Sequence, residues 1–527
     1  MAIHKVVIAE QIADAGIASL EESYDVVVLV GEPRERIIEE LATASALIVR
    51  SATAVDAEMI ASAPNLAVVG RAGIGVDNID LDAATRHGVM VVNAPDANTI
   101  SAAEHTMALI LAQARHVARA DRSLREHRWD RKEFVGVELH GKTLGILGLG
   151  KIGTYVAQRA AAFGMRIIAF DPYISTDRAR RLEVEMMPLD DVLSSADFIT
   201  VHLPRTPQTE NLINATSIAQ MKDGVRIINV ARGGIVSEID LAEAIIAGKI
   251  AGAAVDVFDS EPKTDSPLFE LPQVTVTPHL GASTREAQDK AGVSVAESVA
   301  QALDGEMVLS AVNVDLGAPA SPELKPYIRL TEQLGKIFTA LAKGLPDELT
   351  VTVRGELAEE PTKPVTLSAL KGVLAAASEI PVSYVNAPHL AESHGMAVVA
   401  QSQLDVDDYQ SVIRLTGEVG GRHRTIAGTY MERKGAALVG VDGYAIEVPL
   451  TDHMLLVRND DTPGCIGRVG TYLGDKGYNI SDMVVGRKPG GTGAMMGIAL
   501  DAPMSDEDVA GILALTGIGA TRYIDLT

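Results

Sequence analysis

The stretch Thr143-Leu144-Gly145-Ile146-Leu147-Gly148-Leu149-Gly150-Lys151-Ile152-Gly153 decides the architecture of this chain. Residues 143–147 read as a buried strand, and three glycines follow at the spacing GxGxxG before a helical pattern over 155–163. Each glycine has its own reason to be there. Gly148 makes the tight turn, Gly150 lets the backbone approach a pyrophosphate, and Gly153 lets helix and strand pack closely. The free N–H groups of the helix N-terminus then suit a phosphate. Asp171 closes the next apolar run, about 20 residues on, where a carboxylate accepts hydrogen bonds from an adenosine ribose. The same carboxylate repels a 2′-phosphate, so the expected cofactor is NAD rather than NADP. A turn Asp ahead of Pro172 is the alternative.

Outward from this stretch, short apolar runs alternate with helical patterns through the first 310 residues, the signature of parallel sheets with crossover helices. Runs at 5–9, 46–50, 66–70 and 89–93 belong to a first unit, and the series from 143 to about 278 to a second. A long amphipathic helix is expected from Asn98 through about Arg125, and another over 284–303 that packs back on the first unit. The expected fold is α/β: two Rossmann-like doubly wound domains, residues 1–97 with 283–315 for substrate and 98–282 for NAD, facing each other across a cleft. Leu316-Gly317-Ala318-Pro319-Ala320-Ser321-Pro322 reads as a hinge. Beyond it, 316–450 is expected as an α+β intervening regulatory domain. Residues 451–527 follow the order strand–helix–strand–strand–helix–strand, with helices beginning near Pro463 and Ser505, a ferredoxin-like unit.

The chain has 527 residues, more than one hydrophobic core can organise. A net charge of −24 argues against nucleic acid and anionic membrane as partners, while leaving room for a locally cationic pocket. The lone Cys465 excludes an internal disulfide and suits a reducing cytosol. Residues Met1 to Glu10 lack the basic and apolar regions of a signal peptide, and no stretch of about 18 apolar residues runs without a charge. A cytoplasmic location is expected, and no metal site is read.

Three side chains follow strands of the second unit: Arg232 in 230–234, Glu261 ahead of Pro262, and His279 after Pro278. All three face the crevice at the strands' carboxyl ends. Hydride transfer at a hydroxyl-bearing carbon needs a group that exchanges the hydroxyl proton, and imidazole titrates near working pH. Glu261 on the other ring nitrogen would fix the tautomer, and Arg232 would clamp a carboxylate and stabilise charge on the reacting oxygen. Singly, these are also a surface Arg, a turn Glu and a satisfied core His.

With Gly148–Gly153, Ile228-Asn229-Val230-Ala231-Arg232-Gly233-Gly234, Asp256-Val257-Phe258, Glu261-Pro262 and Thr277-Pro278-His279-Leu280-Gly281, residues 1–315 resemble the D-isomer-specific 2-hydroxyacid dehydrogenase family. The resemblance implies catalysis by Arg232, Glu261 and His279. It implies cofactor contacts at Lys151, Ile152, Asp171, Leu203, Val230, Ala231, Asp256 and His279, Leu280, Gly281 and Ala282. Formate dehydrogenases of this set carry Gln where Glu261 stands, which disfavours formate.

Arg50 and Arg71 stand in loops after strands of the first unit, and a doubly anionic substrate needs two cationic clamps. Val49-Arg50-Ser51, the run 70–78 and the total length resemble the phosphoglycerate-oxidising branch of that family, in its long form with two C-terminal domains. That branch converts 3-phospho-D-glycerate to 3-phosphooxypyruvate, the first step of L-serine biosynthesis. On that resemblance Arg50, Ser51 and Arg71 hold phosphate or carboxylate, and Arg131 and Lys132 reach a neighbouring subunit's pocket. Asn459-Asp460-Asp461-Thr462-Pro463-Gly464 and Gly477-Tyr478-Asn479-Ile480 resemble the amino-acid-sensing ACT domain. Paired domains of that family hold an effector, here L-serine, with Asp461 on its ammonium and Asn479 on its carboxylate or side chain; Asp461 could instead cap the helix. A homo-oligomer, as a tetramer, is implied. Arg422, Arg424 or Lys434 would serve an anion in the intervening domain. The competing readings are an NAD-dependent reductase of an unphosphorylated 2-oxo acid and an NAD-sensing binding protein on the same fold.

Overall fold

The computed structural model describes residues 4–526 apart from 175, 309, 318–320, 379–380, 406–407, 489 and 491–492. The start of the N-terminal segment (Met1 to Ile3) and the centre of the hinge (Ala318, Pro319, Ala320) lie outside the described residues.

The fold is α/β, with four sheets among the described residues. The first holds β1 (Lys5–Ile8), β2 (Asp25–Val28), β3 (Ala46–Val49), β4 (Val68–Arg71) and β5 (Met90–Asn93) in the order β2-β1-β3-β4-β5. Every pairing is parallel. Such strands are covered on both faces, which is why β3 is buried along its whole length and reads as a continuous apolar run. The strand order reverses between β1 and β3, where open sheets of this kind leave a crevice at the carboxyl ends.

The second sheet holds β6 (Thr143–Leu147), β7 (Arg166–Phe170), β8 (Glu185–Met186), β9 (Phe198–Val201), β10 (Val225–Asn229), β11 (Ile250–Val255) and β12 (Val274–Val276). Its order is β12-β11-β10-β9-β6-β7-β8, again wholly parallel, with the reversal between β6 and β9. The helix after the glycine turn begins at Lys151 and runs to Ala162, a turn earlier than its apolar pattern starts. The helix Arg285–Leu303, capped by the Thr284 side chain, returns to pack on the helix Asp14–Glu21 and on β4 and β5 of the first sheet.

One sequence expectation is corrected here. The single helix through Arg125 is two, Thr99–Arg115 and Val117–Arg125, because His116 takes a left-handed conformation with φ 53°. Its N–H bonds back to Ala112 and ends the first helix there.

The third sheet runs β14 (Ala397–Gln403), β13 (Glu348–Gly355), β15 (Ser411–Val419), β16 (Arg422–Met431), β17 (Gly435–Val441), β18 (Tyr444–Pro449). Only the β13–β14 pairing is parallel. The helices Lys325–Ala342 and Thr362–Ala375 pack on each other beside it. The fourth sheet is antiparallel, β20 (Ile480–Arg487), β21 (Ala494–Leu500), β19 (His453–Asn459), β22 (Ile518–Asp525). With helices Cys465–Asp475 and Asp506–Leu513 it has the ferredoxin-like order. One buried cluster runs from Val6, Val68 and Val295 through Leu334 and Leu370 to Val448 and Met454, so the first, third and fourth sheets share a core. The second sheet keeps cores of its own on its two faces. Among the described residues no helix is long and apolar enough to cross a membrane.

Candidate active site in the cleft between the first two sheets

The glycine turn is built as a phosphate cradle requires. Gly148 has φ +97°, and a Cβ there would stand 2.5 Å from the His202 carbonyl oxygen, so only glycine fits between β6 and β9. A Cβ at Gly150 would meet nothing within 4 Å, which leaves open space over the helix N-terminus. Asp171, just past β7, accepts the Leu149 N–H at 2.8 Å on one oxygen and the Tyr173 N–H at 2.8 Å on the other. Leu203 lies over Gly148, and Val230 packs beside Gly281. These residues fit a dinucleotide whose pyrophosphate crosses the turn. Lys151 is engaged elsewhere, in an exposed ion pair with Asp96.

The catalytic candidates come from three successive strand ends. After β10, the buried Asn229 side chain donates to the Arg232 carbonyl at 3.0 Å and accepts the Ala231 N–H at 3.1 Å, which sets the turn. A Cβ on Gly233 would fall 1.6 Å from the Phe258 carbonyl oxygen, so glycine alone lets this turn lie against the next. After β11, Glu261 accepts the Phe258 N–H at 2.9 Å with Oε1 and faces His279 Nδ1 at 2.5 Å with Oε2. Burial would raise this carboxyl, but the hydrogen bonds from His279 and Phe258 outweigh it and hold Glu261 below the ordinary carboxylate range. An ionised Glu261 only accepts, so Nδ1 carries the proton and Nε2 is left as the base.

After β12, His279 sits in the left-handed region at φ 55°, a conformation costing a non-glycine residue about 1–2 kcal/mol. The fully buried Asp256 holds it there. The Asp256 carbonyl accepts the His279 N–H at 2.8 Å, and its carboxylate accepts the N–H groups of Leu280 at 2.7 Å and Gly281 at 2.9 Å. His105 stands 3.2 Å from the same carboxylate. Asp256, expected as a cofactor contact, therefore spends both oxygens on its own chain.

Between the two lobes lies a cleft of about 860 Å³. Arg50, Ser51 and Arg71 line it from the first sheet, Arg232, Glu261 and His279 from the second. Arg50 and Arg71 make no ion pair among the described residues, and the Arg71 Nε is buried without a hydrogen-bond partner. Burial and then the charges of Arg232 and Arg50 push the Arg71 guanidinium below its ordinary value. Asp77, in the loop after β4 of the first sheet, lies 3.9 Å from Arg232 of the second. Ala282 also lines the cleft. Arg131 and Lys132 do not: they stand exposed on the short turn Arg131–Phe134, outside the cleft of their own chain.

Sequence reasoning missed Glu10, Asn78, Asn229 and His105. All four act through backbone atoms or other side chains: Asn78 and Asn229 lie within the runs 70–78 and 228–234, whereas Glu10 follows β1 and His105 sits inside the helix Thr99–Arg115, where no local pattern marks them. In the fourth sheet's unit, Asp461 is bound by Arg487 at 2.6 Å, and Asn479 donates to Asp501. Asp461 does not cap the helix, whose cap position is Gly464 with no side-chain bond. In the third sheet, Arg424 is paired with Asp442 and Lys434 with Glu447, whereas Arg422 is exposed.

Residues 107–281 match the family described as D-isomer specific 2-hydroxyacid dehydrogenase, NAD binding domain, and residues 323–442 match the D-3-phosphoglycerate dehydrogenase intervening domain. The chain is 45% identical over 530 residues to the D-3-phosphoglycerate dehydrogenase of Mycobacterium tuberculosis strain H37Rv, covering 100% of both chains. It is 40% identical to that of Bacillus subtilis strain 168, covering 99% of both. A protein structure from Thermus thermophilus superposes with a TM-score of 0.54 at 32% identity, over 58% of this chain and 99% of that one. The D-lactate dehydrogenase of Escherichia coli gives 0.52 at 26% identity, over 58% and 99%. A chain whose whole length aligns with D-3-phosphoglycerate dehydrogenases, and whose strand-end Arg, Glu and His stand in one cleft, belongs to the D-3-phosphoglycerate dehydrogenases of the D-isomer specific 2-hydroxyacid dehydrogenase family.

Proposed function

We propose that this chain oxidises 3-phospho-D-glycerate to 3-phosphooxypyruvate with NAD, the step that commits carbon to L-serine. The observation that carries the reading is the gathering in one cleft of three guanidinium groups, Arg50 and Arg71 from the first lobe and Arg232 from the second, with the Glu261–His279 pair. Three clustered cations inside a protein of net charge −24 suit a substrate carrying both phosphate and carboxylate.

Arg232 binds the carboxylate and stabilises charge on the C2 oxygen. Arg50, Ser51 and Arg71 hold the phosphate. Nε2 of His279 takes the hydroxyl proton as the C2–H bond breaks, and Glu261 steadies the resulting imidazolium through Nδ1. NAD, when bound, supplies the acceptor for the hydride leaving C2. In the reverse direction the imidazolium returns its proton to the oxygen.

Replacing His279→Ala should lower kcat by about 10²–10⁴-fold while NAD binding, read by calorimetry, stays within about threefold. Full turnover in that variant would refute the role of His279.

L-serine is proposed as an effector at the fourth sheet's unit, bound between paired copies beside the Asp461–Arg487 ion pair. The chain is proposed to be a homotetramer, with one surface on the dinucleotide lobe, where Val117, Leu124, Trp129 and Val135 are exposed. Arg131 and Lys132 adjoin that surface and would face a neighbouring copy's cleft. The buried, unpaired Cys465 suits the reducing cytoplasm proposed as its compartment. Added L-serine should lower the oxidation rate in wild type and lose its effect in Asp461→Ala; an unchanged wild-type rate at millimolar L-serine would refute the effector assignment.

A further inference from the structure

The loop that carries Arg50 and Ser51 is held from behind by a side chain with no assigned role. Glu10 follows β1, where the strand order of the first sheet reverses and where such folds place an anionic ligand. Its carboxylate accepts three backbone N–H groups of one short loop: Arg50 at 2.8 Å and Thr53 at 2.9 Å on Oε1, Ala52 at 3.2 Å on Oε2. The carbonyls of that loop go to Asn78, whose Nδ2 donates to Arg50 at 2.8 Å and Thr53 at 2.6 Å. Five backbone groups of residues 50–53 are therefore fixed by two side chains.

The orientation matters. With three N–H groups turned back toward Glu10, the loop presents the Arg50 and Ser51 side chains to the cleft. Glu10 does not line the cleft itself, and its charge acts favourably on Arg71 at the end of β4 in the same sheet. One acid thus orders the loop and offsets repulsion among Arg50, Arg71 and Arg232. A glutamine has one acceptor oxygen where the carboxylate has two, so it cannot satisfy the same three donors.

We propose that Glu10 is the positioning residue for phosphate recognition: it sets the Arg50–Thr53 loop so that Arg50 and Ser51 grip the phosphate, and it contributes nothing to hydride or proton transfer. The proposal rests on the phosphate assignment made above. In Glu10→Gln, KM for 3-phospho-D-glycerate should rise about tenfold, while its kcat, and kcat/KM for unphosphorylated D-glycerate, stay within about twofold. Asn78→Ala, which frees the carbonyl side of the same loop, should give the same split. In an Arg50→Gln background the Glu10→Gln effect on KM should shrink, because the loop then has only Ser51 to place.

An unchanged KM in Glu10→Gln, or equal losses on both substrates, would overturn the role of Glu10. So would an effect on KM that persists undiminished in the Arg50→Gln background. A wild-type enzyme indifferent to the phosphate would instead refute the substrate assignment itself, which is read separately from the wild-type rates alone.

Discussion

At the scale of single residues, position in the strand-end loops matters more than residue type. His279 and His202 both follow strands of the second sheet, yet they have opposite environments. His279 lines the cleft with Glu261 on its Nδ1. His202 hydrogen-bonds to Thr200 at 3.0 Å, and burial pushes its imidazole down from 6.5 to about 4. Its folded value lies below its unfolded value, so as the pH falls the unfolded chain binds a proton first. The stability it protects is complete above about 6.5 and is lost as pH falls toward 4. His202→Gln should therefore flatten the decline in urea-unfolding stability between pH 7 and pH 5 relative to wild type. An equally steep decline in both proteins would show that His202 is not the group responsible. The proposed catalytic residues Arg232, Glu261 and His279 stood out in the sequence because each sits in a contiguous motif at a strand end. Glu10 and Asn78 were not, because their partners are backbone atoms some 25–43 residues distant, which no local pattern records.

At the scale of elements, the glycine turn shows how closely the local geometry is set. A Cβ on Gly153 would stand 2.2 Å from the Gly148 carbonyl oxygen and 3.3 Å from Ile146. Both neighbours belong to the strand and the glycine turn, so the helix Lys151–Ala162 must move away to admit it. Gly153→Ala should destabilise the dinucleotide lobe by about 1–3 kcal/mol and raise the NAD dissociation constant, both checked by calorimetry. Unchanged affinity would mean that the helix N-terminus is not what holds the phosphates. The strand–turn–helix was readable because strand periodicity, glycine spacing and the later acid agree with one another. The break at His116 was not, since the apolar pattern continues across it and only a backbone angle marks it. In the C-terminal ferredoxin-like unit the turn at 459–464 was readable, but Arg487, the partner of Asp461, and Asp501, the partner of Asn479, lie some 22–26 residues further on.

At the scale of the whole molecule, the shared core divides the chain unevenly. The first-sheet lobe, the intervening unit and the C-terminal unit are joined by one buried cluster, and the NAD-binding lobe stands apart with cores of its own. Ser383 donates to the Gly88 carbonyl at 2.9 Å and Lys371 to that of Gly305 at 3.1 Å, tying the intervening unit to the substrate lobe beside β5 and the returning helix. A ligand acting on the C-terminal units is thus connected to the lobe that carries Arg50 and Arg71, while Arg232, Glu261 and His279 belong to the other lobe. The central claim is that this cleft recognises a phosphorylated 2-hydroxy acid. It is tested most directly by initial rates of NADH formation with 3-phospho-D-glycerate and with D-glycerate at matched NAD. The structure predicts a kcat/KM at least about a hundredfold higher for the phosphorylated acid, and equal values for the two would contradict it.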